Sequence, residues 1–430
     1  MATFSLFLLV LSLGVFAQKD LSDDDLSKLW ELAKCNPGEL FWEPLLRIRA
    51  VESDFLKYRH WDVRRDSYLQ QRAQKEAFMG NHAAALHFWD IRGTALNSVG
   101  FLPSGVHPVD ALEYIAKIAD TAGVIMVNER HHAASDRLLT LRLLSILHEK
   151  GYTYFAAETF GYDDSTLNER EYPVEKTGWY TTEPVFAEVV REALRLGYTM
   201  VPYEQTLEQK ESESDLNPQQ CRDYSQAQNL YRNIFRKDKN AKVLIHAGFA
   251  HIIENVSGGW YPMAMYFREI TGIDPITVDQ TKLSERSAPA YEQPAYRAAI
   301  SEGLLDKEPI VLLDTSGHPY LPSSHKVDIQ VFTPRTIYSH GRPDWMALDN
   351  RRHEVDIEVP ECRDQRCFVE ARAFDEPPEA IPLDRSEVNK TDTVRLFLPP
   401  GVPVNIYVHN EEGKLLREMK YIADTYHNDE

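Results

Sequence analysis

Four apolar runs in the middle of the chain each end in a residue able to do acid–base chemistry. Residues 123–127 lead into Asn128, Glu129, Arg130, His131 and His132. Run 152–157 ends at Glu158, run 198–203 at Glu204, and run 243–249 reaches His251. Between them lie helical stretches at 137–150, 183–196 and 223–236. Such alternation predicts right-handed βαβ crossovers and a parallel sheet. All strands then point one way, so Glu129, His131 or His132, Glu158, Glu204 and His251 are predicted to gather at the carboxyl rim, where parallel α/β proteins bind ligands. One acidic residue after a strand is ordinarily a helix cap or a solvated turn. Four such ends in succession, with imidazoles among them, predict a site.

The flanking segments have other patterns. From Leu21 to about Asp120 the pattern is helical, with Leu26, Leu29, Trp30 and Ala33 on one face behind Ser22 and Asp25 as a capping pair. Residues 72–78, Gly80-Asn81 and 82–89 read as helix, tight turn, helix, with Ala73, Ala77, Gly80, Ala84 and Ala85 allowing close packing. The hairpin is similar to one tetratricopeptide unit, without repetition at ~34 residues. Trp42, Phe55, Tyr58, Trp61 and Trp89 read as core. After His251 comes a helix at 261–270 stopped by Gly272, then strands at 309–313 and 327–332. From 354 onward, alternating runs at 354–359, 367–373, 393–398 and 404–408 are separated by Pro and Gly, which reads as a small antiparallel β module. Its role is a structural appendage, with carbohydrate binding or surface docking as alternatives. The expected fold is α/β: a central, largely parallel sheet with flanking helices at 121–353, a helical region at 18–120 and a β-rich module at 354–430.

A chain of 430 residues, 43% apolar, can hold about two or three domains with sizeable cores. Its net charge of −19 argues against nucleic acid or an anionic membrane as the main partner. Residues 1–17 are apolar and end in Val15 and Ala17, which suit a signal-peptide cleavage site, although no Lys or Arg precedes the run. The expectation is a secreted or periplasmic protein; an anchor helix is the alternative, but the run is short for one. No later run reaches the ~20 apolar residues of a membrane span. The oligomeric state is not set by the sequence. Of four cysteines, Cys362 and Cys367 are close enough in sequence for a hairpin to bridge them, leaving Cys35 with Cys221 as the remaining pairing. Asn255-Val256-Ser257 and Asn389-Lys390-Thr391 match the glycosylation triplet.

A carboxylate beside an imidazole holds it in one tautomer and raises its basicity, so Glu129 with His131 or His132 is a candidate for deprotonating water. One histidine is expected to face the cleft while the other packs. Glu158 leaves an apolar strand, and desolvation there is expected to raise its pKa, as a general acid requires. Glu204 is either a site residue or a cap. His251 follows Gly248, which permits a tight turn, whereas His246 reads as a buried core histidine. Arg222 can steer a substrate carbonyl or carboxylate, or pair with a rim glutamate, and Asp223 suits a helix N-terminus. Divalent metal binding is the rival use of this set, but no His-Glu-x-x-His spacing occurs. Neither a Gly-x-Ser-x-Gly elbow nor a phosphate-binding or dinucleotide glycine loop is present.

At these residues the chain resembles the superfamily of erythromycin esterase-like enzymes, ChaN-like haem-binding proteins and the TraB/Tiki group. The family's Gly-Glu followed by histidine corresponds to Asn128, Glu129 and His131 or His132, with Asn128 in the glycine's place. Its strand ending in glutamate corresponds to 151–158, its Arg-Asp helix to Arg222-Asp223 with Ala227 and Asn229, and its Gly-x-x-His to Gly248 and His251. The likeness spans about 120–345. It implies that Glu129, His131 or His132, Glu158 and His251 line the site with Arg222 beside them. Among the family's activities the expected one is hydrolysis of a small-molecule ester or amide by activated water. There His131 or His132 takes the proton, Glu129 orients it, and Glu158 or His251 serves the leaving group. Haem or small-ligand binding and metal-dependent peptidase activity are the alternatives. No cofactor is expected, with haem or a divalent metal as rivals. Specificity is expected in loops 160–182 and 208–220, the first carrying Tyr162, Tyr172, Trp179 and Tyr180.

Overall fold

The computed structural model describes residues 23–36, 39–212, 217–256, 259–323 and 326–424. The leader, the Ser22 cap and Ser257 of the first glycosylation triplet lie outside them. Among the described residues no helix is long and apolar enough to cross a membrane.

The chain opens with α1 (Asp23–Ala33), α2 (Glu43–Ala50), α3 (Glu52–Leu56), α4 (Val63–Phe78) and α5 (His82–Asp90). They close around Leu29, Ala33, Ile48, Phe55, Tyr68 and Leu69. The expected hairpin is there, but its first helix starts at Val63, because the Asp62 carboxylate accepts from Arg64 N and caps it. Gly80 makes the turn at φ 78°, where a Cβ would meet Arg385 O at 2.5 Å. The chain does not stay helical to 120. A strand, β1 (His107–Asp110), precedes α6 (Ala111–Ile118), and Asp110 caps that helix through Glu113 N.

The central sheet adds β2 (Val124–Glu129), β3 (Tyr154–Ala157), β4 (Thr199–Pro202), β5 (Val243–Gly248), β6 (Ile276–Asp279), β7 (Ile310–Leu313) and β8 (Ile329–Phe332). Its order is β1-β7-β8-β6-β2-β5-β3-β4. The run from β8 to β4 is parallel throughout. β7 is antiparallel to both β8 and β1, since the described residues between β7 and β8 hold no crossover helix. Alternate residues of the central strands face two cores. Ile125, Val127, Phe155 and Leu244 meet α6, α7 (Arg137–Glu149) and α8 (Pro184–Arg195). Val124, Met126, Val243 and Ile245 meet the other face's helices, which follow the short α9 (Leu207–Ser212). These are α10 (Pro218–Leu230), continued by the π-turn Tyr231–Phe235, and α11 (Met263–Thr271), which Gly272 stops at φ 71°. Burial on both faces is why these strands read as unbroken apolar runs. The helix α12 (Pro294–Ser301) packs on β7 and β8 through Tyr296 and Ala299.

Beyond the short pair β9 (Tyr338–Ser339) and β10 (Arg342–Pro343), the β module pairs β11 (His353–Glu358) with β14 (Thr393–Leu398). It also forms a sheet β13-β12-β15-β16 from Asp384–Asn389, Arg366–Ala373, Pro403–Asn410 and Leu415–Ile422. Cys362 and Cys367 are disulfide-bonded across the turn before β12, with Cα atoms 5.7 Å apart. Cys35 and Cys221 do not pair: Cys35 lies half-buried after α1, and Cys221 is buried in α10 beside the sheet rim. The N-terminal helices pack on this module, with Trp42 stacked on Phe368 at 4.8 Å and Arg49 bound to Glu387 at 2.7 Å.

Candidate active site

Glu129 ends β2 with its carboxylate fully enclosed. Oε2 accepts from Arg137 Nε at 2.8 Å and lies 3.0 Å from His246 Nε2, while Oε1 meets His131 Nδ1 at 2.8 Å. Burial pushes this carboxyl up, but Arg137, His246 and His131 outweigh it and hold it well below the usual carboxylate range. Arg137 also binds Glu183 at 2.6 Å, so one buried guanidinium serves two carboxylates. His246 is the buried histidine expected in β5, with Nδ1 on Thr140 Oγ1 at 2.9 Å, and it shares Glu129 as well.

The two loop histidines part company. With Nδ1 on Glu129, His131 lies flat against Tyr180 at a ring separation of 3.9 Å. Its Nε2 is shut off from solvent and has no partner among the described residues. His132 instead stacks on Trp89 of α5 at 4.0 Å, and Trp89 lies 5.1 Å from Phe249. Burial first, then Arg130, Arg286 and Arg92, holds His132 far below the ordinary histidine pKa, so it stays neutral. His131 is therefore the histidine that faces the site.

Across from it, β3 delivers Glu158, and β5 comes close because residue 248 is glycine. A Cβ there would lie 2.6 Å from His131 Nε2 and 2.8 Å from Glu158 Oε2. Glu158 Oε2 accepts from Gly248 N, and Oε1 accepts from Arg222 Nη2. Arg222, from α10, also donates Nε to Glu204 Oε1 at 3.0 Å and Nη1 to His251 Nε2 at 3.0 Å. The expected upward shift of Glu158 is overturned: burial does raise it, but Arg222, His251 and His131 bring it to about 2. Desolvation alone was an incomplete ledger, because the same low-dielectric pocket strengthens a guanidinium's pull.

His251 is held from behind by Asp223, whose Oδ1 is 2.6 Å from Nδ1. Asp223 is not an N-terminal charge of its helix, which begins at Pro218 behind an Asn217 cap. It is fully buried and further fixed by Trp260 Nε1 at 2.8 Å and Met263 N at 2.9 Å. Burial lowers the His251 pKa, but Asp223 and Glu158 outweigh it and raise it above the ordinary value. Since Arg222 can only donate, the bond to His251 Nε2 marks the neutral Nδ1–H tautomer. Glu204 is a partner of Arg222 rather than a cap of the next helix, although its Oε1 also accepts from Gln205 N.

The strand-end residues thus lie together, whereas the supporting groups come from helices and loops. Arg137 and Trp89 had no strand-end signature, and only their placement near a motif could have flagged them, whereas Asp223 was named with the Arg-Asp helix and Tyr180 with the aromatic loop. Asn128, in the family's glycine position, donates Nδ2 to Phe249 O at 2.7 Å and so braces the β5 turn, where Phe249 sits at φ 38°. Trp179, next to Tyr180, packs on α4 beneath the Lys75 ammonium at 4.1 Å. Arg222 stands among Glu158, Glu204 and His251, and no grouping of three metal-binding side chains occurs among the described residues.

No family model and no curated protein sequence matches the chain. Two solved structures show similarity. The type III effector HopBA1 is 11% identical at a TM-score of 0.31, covering 54% of this chain and 97% of its own. ChaN of Campylobacter jejuni, solved with cofacial haem, is 11% identical at 0.31, covering 44% of this chain and 94% of its own. Likenesses at this level say nothing of function, which has to be read from the rim itself.

Proposed function

We propose that this chain is a hydrolase that activates water against the carbonyl of a small-molecule ester or amide. One observation carries the reading: a buried imidazole, His131, is oriented through Nδ1 by Glu129 and keeps a partnerless Nε2 beside the Glu158–Arg222–His251 cluster. An Nδ1–H donated to a carboxylate leaves Nε2 as the basic nitrogen. In the reaction, once water and substrate are admitted to the enclosed His131 Nε2, that nitrogen takes a proton from water as the oxygen attacks the carbonyl carbon. Arg222 Nη1 has one hydrogen beyond that given to His251, and it faces the charge that develops on the carbonyl oxygen. Before the leaving group departs, Arg222 shifts off His251 Nε2, which takes a proton from solvent; the imidazolium, held through Nδ1 by Asp223, then gives that Nε2 proton to the leaving oxygen or nitrogen. Glu158 stays ionised and holds Arg222; it is not the acid. The apolar leader supports action outside the cytoplasm, in a secreted or periplasmic setting.

The test is turnover of aryl esters and anilides by the purified full chain. His131→Ala should cost about 10²–10⁴ in rate, while His132→Phe should keep most of it. No turnover by the natural chain across the panel, or equal rates for His131→Ala, would overturn the reading. A Soret band on adding haem, with no turnover, would move the site to ligand binding.

A further inference from the structure

Of the described lysines only Lys75, on α4, is buried, at 4% exposure. Its ammonium lies 4.1 Å from the centre of the Trp179 ring and 5.4 Å from that of Phe78. It has no hydrogen bond and no ion pair among the described residues. The two rings are fixed around it: they meet in a T at 6.2 Å, and Trp179 Nε1 donates to Gln74 Oε1 at 3.5 Å.

A charge taken out of water without a counter-charge is costly, and an amine escapes that cost by giving up its proton. Burial pushes the Lys75 pKa down to about 7; Cys35 and Glu175 pull it up, and Arg47 and Arg385 push it further down. An ordinary lysine is neutral in about one molecule in 2,500 at pH 7. Lys75 is neutral in roughly half, and a desolvated, neutral lysine is the kind that attacks carbonyl carbon. The surroundings also choose the electrophile. Carbon dioxide would turn Nζ into a carboxylate set against the negative faces of two rings. An aldehyde instead leaves an iminium, which keeps its positive charge where the Trp179 face now holds the ammonium. So enclosed an amine admits a chain of a few carbons and nothing larger.

We propose that Lys75 is a capture site for small aliphatic aldehydes, which it holds as an imine between Trp179 and Phe78. The Nζ lone pair attacks the carbonyl carbon and the C–N bond forms. The carbonyl oxygen then leaves as water. Summed from the ammonium form, two of its three hydrogens go with that water, the single positive charge stays on nitrogen, and nothing is oxidised or reduced. The site stands apart from the rim and needs no hydrolysis to be tested.

The experiment exposes the full chain to propanal at pH 7 with cyanoborohydride, which reduces each imine to a stable propylamine, and locates the propylated lysines by peptide mass spectrometry. Lys75 should be labelled at least tenfold faster than Lys176, whose side chain is 49% exposed. In denaturing urea the two should react alike. Lys75→Arg, which keeps a cation over Trp179, should lose that one label and leave the others unchanged. If that variant fails to fold, the natural chain compared with and without urea still decides the case. A parallel sample in bicarbonate, alkylated to fix any carbamate, should show none at Lys75. Labelling of Lys75 no faster than Lys176 in the folded chain, an advantage that survives urea, or carbamate in place of the propyl group would overturn the proposal.

Discussion

Asp223 Oδ1 lies 2.6 Å from His251 Nδ1, inside a pocket where the aspartate has no exposed surface. The pair raises the histidine's pKa in the folded chain above its unfolded value of about 6.5. A raised value means stability that is fully present below that unfolded pKa and is lost as pH rises through the folded one. Asp223→Asn keeps the shape and removes the charge. We expect it to lose about 1.5–3 kcal/mol at pH 5.5 and distinctly less at pH 8.5, measured by denaturant unfolding at both. Equal losses at the two pH values would mean the interaction is not charge-linked.

Glu158 gives the opposite sign. Its folded pKa of about 2 lies below the ordinary 4.5, so its contribution is present above pH 4.5 and disappears as pH falls toward 2. Glu158→Gln leaves Arg222 with Glu204 alone. The variant should be about 3 kcal/mol less stable at pH 7, with the gap narrowing at pH 3. If the proposed hydrolysis holds, a pH–rate profile of the natural chain should also lack a limb belonging to this carboxyl near neutrality.

Gly248 is required for space. A methyl group there meets His131 at 2.6 Å and Glu158 at 2.8 Å, both fixed by other bonds. Gly248→Ala should cost about 1–3 kcal/mol from overpacking and should displace the His131 ring, visible as a shift of its NMR resonances. A variant with natural stability and unshifted resonances would show that the rim has slack.

Trp89 braces the turn from the N-terminal side, stacking on His132 and Phe249. Trp89→Ala should lose about 1–3 kcal/mol and lower turnover, and Trp89→Phe should restore most of both. Unchanged turnover in the alanine variant would separate the hairpin from the site.

The legible part of this fold was the part buried on two faces. The strands carrying Glu129, Glu158, Glu204 and His251 are apolar runs with a polar residue at the end, and no other element competes for that pattern. β6 was missed because Ile276–Asp279 is four residues long with polar neighbours, and β13 because Asp384–Asn389 is charged yet buried. Asp384 binds Arg342 and Arg385 binds Glu370 at 2.7 Å, so paired charges there do the packing that apolar residues do elsewhere. The site's strand-end members were legible for the same reason as the strands. Arg137 and Trp89 were not, and Asp223 was picked out by the Arg-Asp motif but misread as a helix N-terminal charge, because their roles arise from helices packed beside the sheet. Glu158's shift went wrong for want of Arg222, whose partner among several rim glutamates cannot be assigned from one dimension.

The contact between Arg49 and Glu387 spans 338 positions of sequence. During synthesis at about 5–20 residues per second, the N-terminal helices emerge roughly 20–70 s before the surface they rest on. Through that interval Trp42 has no Phe368 to cover it. The opening helices are clasped to strands made more than three hundred residues later, so they are among the last parts to settle, and a chain cut short before Phe368 is made leaves the aromatic face of Trp42 uncovered.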